Sequence, residues 1–112
     1  YTLAAERGNP ALSHLADGIH PSVLRLIGAV VEASHQAGKW TGVCGELSGD
    51  PEATSILVGL GVDELSLNPA GVPRIKSILR DLTMDKARAL AEHALRCATS
   101  QEVRQLVREF KP

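Results

Sequence analysis

The chain has 112 residues, which is room for one hydrophobic core. Twelve basic against thirteen acidic side chains leave a formal net charge of −1, so no excess of positive charge is on offer to nucleic acid or to an anionic membrane. No apolar run approaches the ~20 residues of a membrane span, the opening "YTLAAERGNP" lacks the charged-then-apolar layout of a signal peptide, and two cysteines, Cys44 and Cys97, form neither a disulfide framework nor a zinc site. The expectation is a cytoplasmic α/β protein with free thiols, no nucleic-acid partner and no membrane insertion. Tyr1 to Ala5 is apolar with no initiator Met and no turn signal before it, which reads as a piece cut from a larger unit.

Glu6 to Pro10, "ERGNP", is turn chemistry. From Pro21 the apolar positions Val23, Leu24, Ile27, Val30 and Val31, continued by Ser34, fall three and four apart, with Pro21 suited to a first helical turn and Gly38 to the left-handed position past the end. Trp40 to Cys44 follows as a strand, expected to be buried on both faces. Asp50 is placed to cap a second helix, with Pro51 in its first turn, Glu52 near the positive dipole end, and Gly59 and Gly61 as terminators. "VDELSLN" resumes strand character up to the Asn68-Pro69 turn. A strand, helix, strand order with a crossover this long predicts two parallel neighbours joined right-handedly.

Val72, Ile75, Ile78, Leu79 and Leu82 then repeat at helical spacing, with Pro73 tolerable in the first turn. Thr83 is placed to cap a helix whose inner face is Ala87, Leu90, Ala91, Ala94 and Leu95. "TSQE", Thr99 to Glu102, has capping-box spacing before Val103, Leu106, Val107 and Phe110. Two parallel strands alone do not make a stable sheet, so further strands are expected in sequence outside these residues.

In alternating β/α architectures, sites form where parallel strands end and loops lead into helices, and Cys44 to Ser48 is such a loop. By residue type alone, packing is the commoner role of a free cysteine, although Gly42 and Gly45 on either side would let a ligand approach closely. Arg7 sits in a turn where a guanidinium can take a phosphate or carboxylate bidentately, or be merely solvated. Glu46 is open to three readings: acid or base, strand-end acceptor, or solvated charge. His14, His20, His35 and His93 do not pair at metal-ligand spacing and suit surface or helix-end roles, and Cys97 reads as packing.

"YTLAAERGN", "HPSVLRLI", "ASHQAGKWTGVCGELSGDPEAT", "LVGLGVDELSLN" and "GVPRIKSILR", in that order, resemble the C-terminal end of enzyme I of the phosphoenolpyruvate-dependent sugar phosphotransferase system. The resemblance covers essentially the whole chain, and its most specific block is "GVCGELSGD". Pyruvate phosphate dikinase and phosphoenolpyruvate synthase share the Cys-Gly core but resemble the continuation less well. The resemblance implies that residues 1–112 are the C-terminal portion of a phosphoenolpyruvate-binding (β/α)8 TIM barrel, contributing about two parallel strands with four or five helices. Cys44 matches the family's proton donor, and Arg7, followed by Gly8-Asn9, matches an arginine that contacts phosphoenolpyruvate.

The resemblance also implies a magnesium cofactor. The family's Asn-Asp pair, whose Asp binds it, would lie just before Tyr1; the other magnesium carboxylate, two further substrate arginines and the phosphorylated histidine would lie outside these residues too. No histidine here sits in the phosphohistidine motif. The implied partners are phosphoenolpyruvate and pyruvate, a phosphocarrier protein reached through an absent N-terminal part, and a second copy of the parent in a homodimer. The 112 residues alone are then expected to be inactive.

The residue types suit that chemistry. Moving a phosphoryl group off phosphoenolpyruvate leaves the enolate of pyruvate, which needs cations at the phosphate and then a proton for its methylene carbon. A free thiol, with a pKa of about 8.5, is mostly protonated at neutral pH yet acidic enough to give that proton up. Two other readings stand beside this one: a fragment of the dikinase or the synthase, and a non-catalytic regulatory or assembly module in which Cys44 only packs.

Overall fold

β1 (Gly42–Cys44) and β2 (Glu64–Ser66) pair in parallel, Gly42 opposite Glu64, Val43 opposite Leu65 and Cys44 opposite Ser66, in a computed structural model that describes residues 1–6 and 8–111. Five helices complete the order. α1 (Pro21–Gln36) precedes β1, α2 (Pro51–Gly59) joins the strands, and α3 (Val72–Asp81), α4 (Met84–Arg96) and α5 (Ser100–Glu109) follow. This is the α/β class expected from the alternation of short strands and amphipathic helices. Among the described residues no helix is long and apolar enough to cross a membrane.

The strands are shorter than the sequence predicts. Trp40 and Thr41 precede β1: the Trp40 ring lies across Gly42, where an added Cβ would come 3.0 Å from its Cζ3, and Trp40 stays 66% exposed. Nor is β1 buried on both faces. Val43 and Leu65 pack against the core, while Gly42, Cys44, Glu64 and Ser66, which alternate with them, are exposed. The physical reason is that the helices cover a single face of this sheet among the described residues.

α2 is the centre of the core. Its residues Ala53, Thr54, Ser55, Ile56 and Leu57 are all buried, which one helix achieves only when enclosed on several sides, and here it meets α3, α4 and α5. Ile56 and Leu57 have no exposed surface, a burial worth about 1.5–3 kcal/mol for each side chain. Leu24 of α1, Leu90, Ala91 and Ala94 of α4, Val103 of α5 and Ile19 close the cluster. The predicted inner face of α4 is thus the buried one, with Leu95 only half-buried.

Helix ends follow their capping residues. Asp50 Oδ1 accepts from the Glu52 amide at 2.9 Å, with Pro51 next in line. Both α1 and α2 finish in a Schellman arrangement: Gly38 (φ +69°) and Gly61 (φ +91°) occupy the left-handed position, and Lys39 N and Val62 N reach back to Ser34 O and Leu57 O. At α5, Thr99 Oγ1 accepts from Glu102 N while the Glu102 carboxylate accepts from Ala98 N, one residue before the cap. Thr83 occupies the N-cap position of α4 without a side-chain capping bond, so its predicted role is positional only.

Two expected apolar positions lie on open faces. Val30 is 56% exposed, beside Leu26 on the side of α1 turned away from the core, and Leu79 is exposed on α3, where only Ile75 is buried. Gly59 also differs from its expected part as a terminator. A Cβ there would stand 2.0 Å from the Ala87 carbonyl oxygen and 2.9 Å from the Ala91 Cβ, so Gly59 is required by the close approach of α2 to α4.

Gly59→Ala is expected to cost about 1–3 kcal/mol of folding stability or more, because the obstruction is backbone and cannot rotate away. Gly28→Ala serves as the comparison. Its Cβ would meet only Leu60 Cδ2, at an ordinary 3.6 Å, inside α1, and it should stabilise by about 0.5–1 kcal/mol. Denaturant unfolding followed by far-ultraviolet circular dichroism checks both signs.

Candidate functional site

β1 ends in a turn built to present one side chain. After Cys44 the chain reverses through Gly45, whose φ of +88° is open to glycine and strained for a residue with a Cβ. It then winds through a short 3-10 turn, Leu47–Gly49, into the Asp50 cap of α2. Ser48 anchors the turn. Its side chain is fully buried, and Oγ lies 2.6 Å from Gly45 O and 2.5 Å from Ser66 O, tying the residue after Cys44 to the end of β2.

Cys44 is exposed at the carboxyl end of β1. It stands where two grooves meet. One, about 540 Å³, runs between Cys44–Glu46 and the Ser66–Asn68 end of β2. The other, about 1220 Å³, runs between Cys44–Leu47 and the N-terminal segment, including Glu6, Gly8 and Asn9. Glu46 is exposed and borders both. Arg7, the predicted phosphate-binding residue, lies outside the described residues.

A second cluster borders the larger groove and was not foreseen from the sequence. Arg104 of α5 donates from Nε and Nη2 to the two Asp17 carboxylate oxygens, at 2.9 and 2.8 Å, from Nη2 to Asp50 Oδ2 at 3.1 Å, and from Nη1 to Glu52 Oε2 at 2.6 Å. Arg108 adds a bond to Glu52 Oε1 at 2.8 Å. Partial burial pushes the Asp17 carboxyl up, but the Arg104 hydrogen bonds, the Ile19 amide and the Arg104 charge together outweigh it and hold its pKa below the ordinary value. Glu52 is lowered by Arg108 first and Arg104 second. Arg104 is held still more firmly protonated, chiefly by its bonds to Asp17. No local motif signals this cluster, since its members come from three segments far apart in sequence.

The histidines occupy helix ends or the surface. His20 Nδ1 accepts from the Ser22 amide at the start of α1, and His35 Nε2 lies 2.8 Å from Asp63 Oδ2 at the end of β2 away from Cys44. Asp63 is lowered by His35 and by the Thr41 amide. Cys97 packs partly against the core, and that burial, with the Glu102 charge, pushes its thiol up. Among the described residues no group of three or more His, Cys, Asp or Glu side chains could hold a metal ion. The carboxylates bordering the larger groove beside Arg104 are already engaged by guanidinium.

A family model described as "PEP-utilising enzyme, PEP-binding domain" matches residues 1–84. Phosphoenolpyruvate-protein phosphotransferase of Haemophilus influenzae is 52% identical over 110 residues, and that of Staphylococcus carnosus 44%; each match covers 98% of this chain and 19% of the relative. A multiphosphoryl transfer protein of Xanthomonas campestris is 45% identical over 106 residues, 95% of this chain and 13% of its own. The chain therefore spans about a fifth, 19%, of the length of the phosphotransferases it matches.

Two expected outcomes follow from the site's construction. Ser48→Ala removes the one hydroxyl proton that the Gly45 and Ser66 carbonyls share and should cost about 0.5–1.5 kcal/mol in denaturant unfolding. For the ion cluster, Asp17 and Glu52 have folded pKa values below their unfolded ones, so their contribution is complete above about pH 4.5 and is lost as pH falls through the depressed values. Removing Arg104 should accordingly lower the unfolding midpoint at pH 7 and lower it progressively less as the pH falls below about 4, which thermal scans at a series of pH values would read.

Proposed function

We propose, from the premise that the chain belongs to the PEP-utilising enzymes through their PEP-binding domain, that residues 1–112 are the C-terminal portion of the barrel domain of an enzyme I. In this reading the whole protein moves the phosphoryl group of phosphoenolpyruvate to one of its own histidines, outside these residues, and then to a phosphocarrier protein, releasing pyruvate. It does so in the cytoplasm, as a homodimer, in the service of sugar uptake. The observation that carries the reading for this chain is the exposed Cys44 thiol at the carboxyl end of β1, at the junction of two grooves.

Cys44 is the proton donor. When phosphoryl transfer breaks the bond between the enol oxygen and phosphorus, the enolate of pyruvate remains. The Cys44 S–H bond then breaks, its proton forms the new C–H bond at the methylene carbon, and the thiolate left behind takes a proton from water before the next turnover. Arg7 holds phosphate charge with its planar fork, in the ground state and as that charge shifts in the transition state. The bare face of β1 and β2, which carries Cys44, is the face that a closed barrel turns inward. Magnesium, which supplies charge neutralisation at the phosphate in this family, is assigned to carboxylates outside these residues.

In the full-length protein, Cys44→Ala should lower pyruvate formation at saturating phosphoenolpyruvate by roughly 10²–10⁴, with substrate binding largely kept. Arg7→Ala should weaken substrate engagement and transfer together. Turnover by Cys44→Ala at the wild-type rate would return Cys44 to a structural role.

A further inference from the structure

We infer that Arg104 is a positioning residue for this reaction: by gathering Asp17, Asp50 and Glu52 on one guanidinium, it fixes the turn that presents Cys44. The inference rests on the reading of Cys44 as proton donor. It adds a residue from α5, an element that lies beyond the stretch, residues 1–84, matched by the family model.

The connection between Arg104 and Cys44 is short and every link is a hydrogen bond or a packing contact. Arg104 Nη2 holds Asp50 Oδ2, while the other oxygen of the same carboxylate caps α2 through Glu52 N. The Asp50 amide closes the 3-10 turn on Leu47 O, and within that turn Ser48 grips Gly45 O, next to Cys44. On the other side, Asp17 takes two guanidinium nitrogens and also the Ile19 amide. That arrangement sets Gly18 against Leu47, close enough that a Cβ on Gly18 would come 3.2 Å from Leu47 Cδ1. The turn after Cys44 is thus held from both flanks by one side chain.

An exposed ion pair would carry no such weight, since its two long side chains lose entropy and salt screens them. Here the Arg104 side chain is 27% exposed and its carboxylate partners 22–27%, and the Asp17 pair is bidentate. Lysine could not reproduce the fork, because an ammonium is a point charge without fixed divergent donors. Proton transfer to carbon depends on the donor's placement relative to the methylene carbon, and a displacement of about 1 Å can cost as much as ~10² in rate.

In the full-length protein, Arg104→Met is expected to lower kcat for pyruvate formation about tenfold while leaving KM for phosphoenolpyruvate within about twofold. Amide exchange across residues 45–50 should quicken by about tenfold or more, a local loosening rather than a global one. Arg104→Lys should fall between. In a Cys44→Ala background, Arg104→Met should cost no further turnover, because the effect runs through Cys44. An Arg104→Met enzyme with wild-type kcat, or an equal loss in both backgrounds, overturns the inference. Should Cys44→Ala alone turn over normally, the proton-donor reading fails, and the inference fails with it for that separate reason. If Arg104→Met does not fold, Asp50→Asn keeps the Oδ1 cap and removes the charge facing Arg104; the same split between kcat and KM is expected, and an unchanged kcat overturns the proposal.

Discussion

Parallel pairing of β1 with β2 is the constraint from which the remaining architecture follows. Antiparallel neighbours can be joined by two residues, whereas parallel ones require the chain to return to the starting end, and here α2 makes that return. A crossover helix between two adjacent strands lies on the sheet, so α2 is committed to burial. Its Ala53, Ile56 and Leu57 supply the apolar face, and its small residues, with Gly59, let α4 approach to backbone contact. The same pairing aligns Cys44 with Ser66, so both strands end together and their following loops form one mouth.

Two kinds of force hold that mouth, and they act on different scales. Burial around α2 fixes where the strands sit, to within what a close-packed core allows. Polar contacts then fix the loop itself, because directional hydrogen bonds hold its backbone in one geometry. Ser48 supplies a donor from inside the turn, and Arg104 clamps the carboxylates at its far end. The hydrophobic term is indifferent to a shift of a few tenths of an ångström in the loop. The directional hydrogen bonds are not, which is why the loop's geometry is tied to a few named polar side chains.

Much of this was legible in the sequence where the signal is local. Pro21, Asp50-Pro51 and the Gly38 and Gly61 stops mark helix ends through backbone preferences of single residues, and those ends stand where expected. The alternation of short strands with amphipathic runs predicted the parallel pair, and the "VCGE" turn pointed to Cys44 as the residue at its end. The expectation that β1 is buried on both faces does not hold among the described residues, since composition cannot say which face has neighbours within them. Gly59 was read as a stop because its packing partner, Ala87, is remote in sequence. The Arg104 cluster is invisible for the same reason: Asp50 announces only its local helix cap, and nothing near Asp17 or Arg104 in sequence points to a partner.

The charge pattern around Cys44 bears on its proposed chemistry. A residue that must hold its proton until the enolate forms is poorly served by free cations, which favour thiolate, although the substrate's phosphate requires cations nearby. The cluster bordering the groove meets the first demand by geometry. Arg104 faces the groove with its donors already committed to Asp17, Asp50 and Glu52, so it stiffens the wall without presenting an unpaired positive charge to the thiol. Cationic binding is left to residues such as Arg7 in the proposed assignment, where charge can be matched to the substrate's phosphate and spent on it. Under the proposed assignment, the arginine that shapes the wall is a different residue from the arginine that takes the anion, so rigidity and anion binding need not compete for one guanidinium.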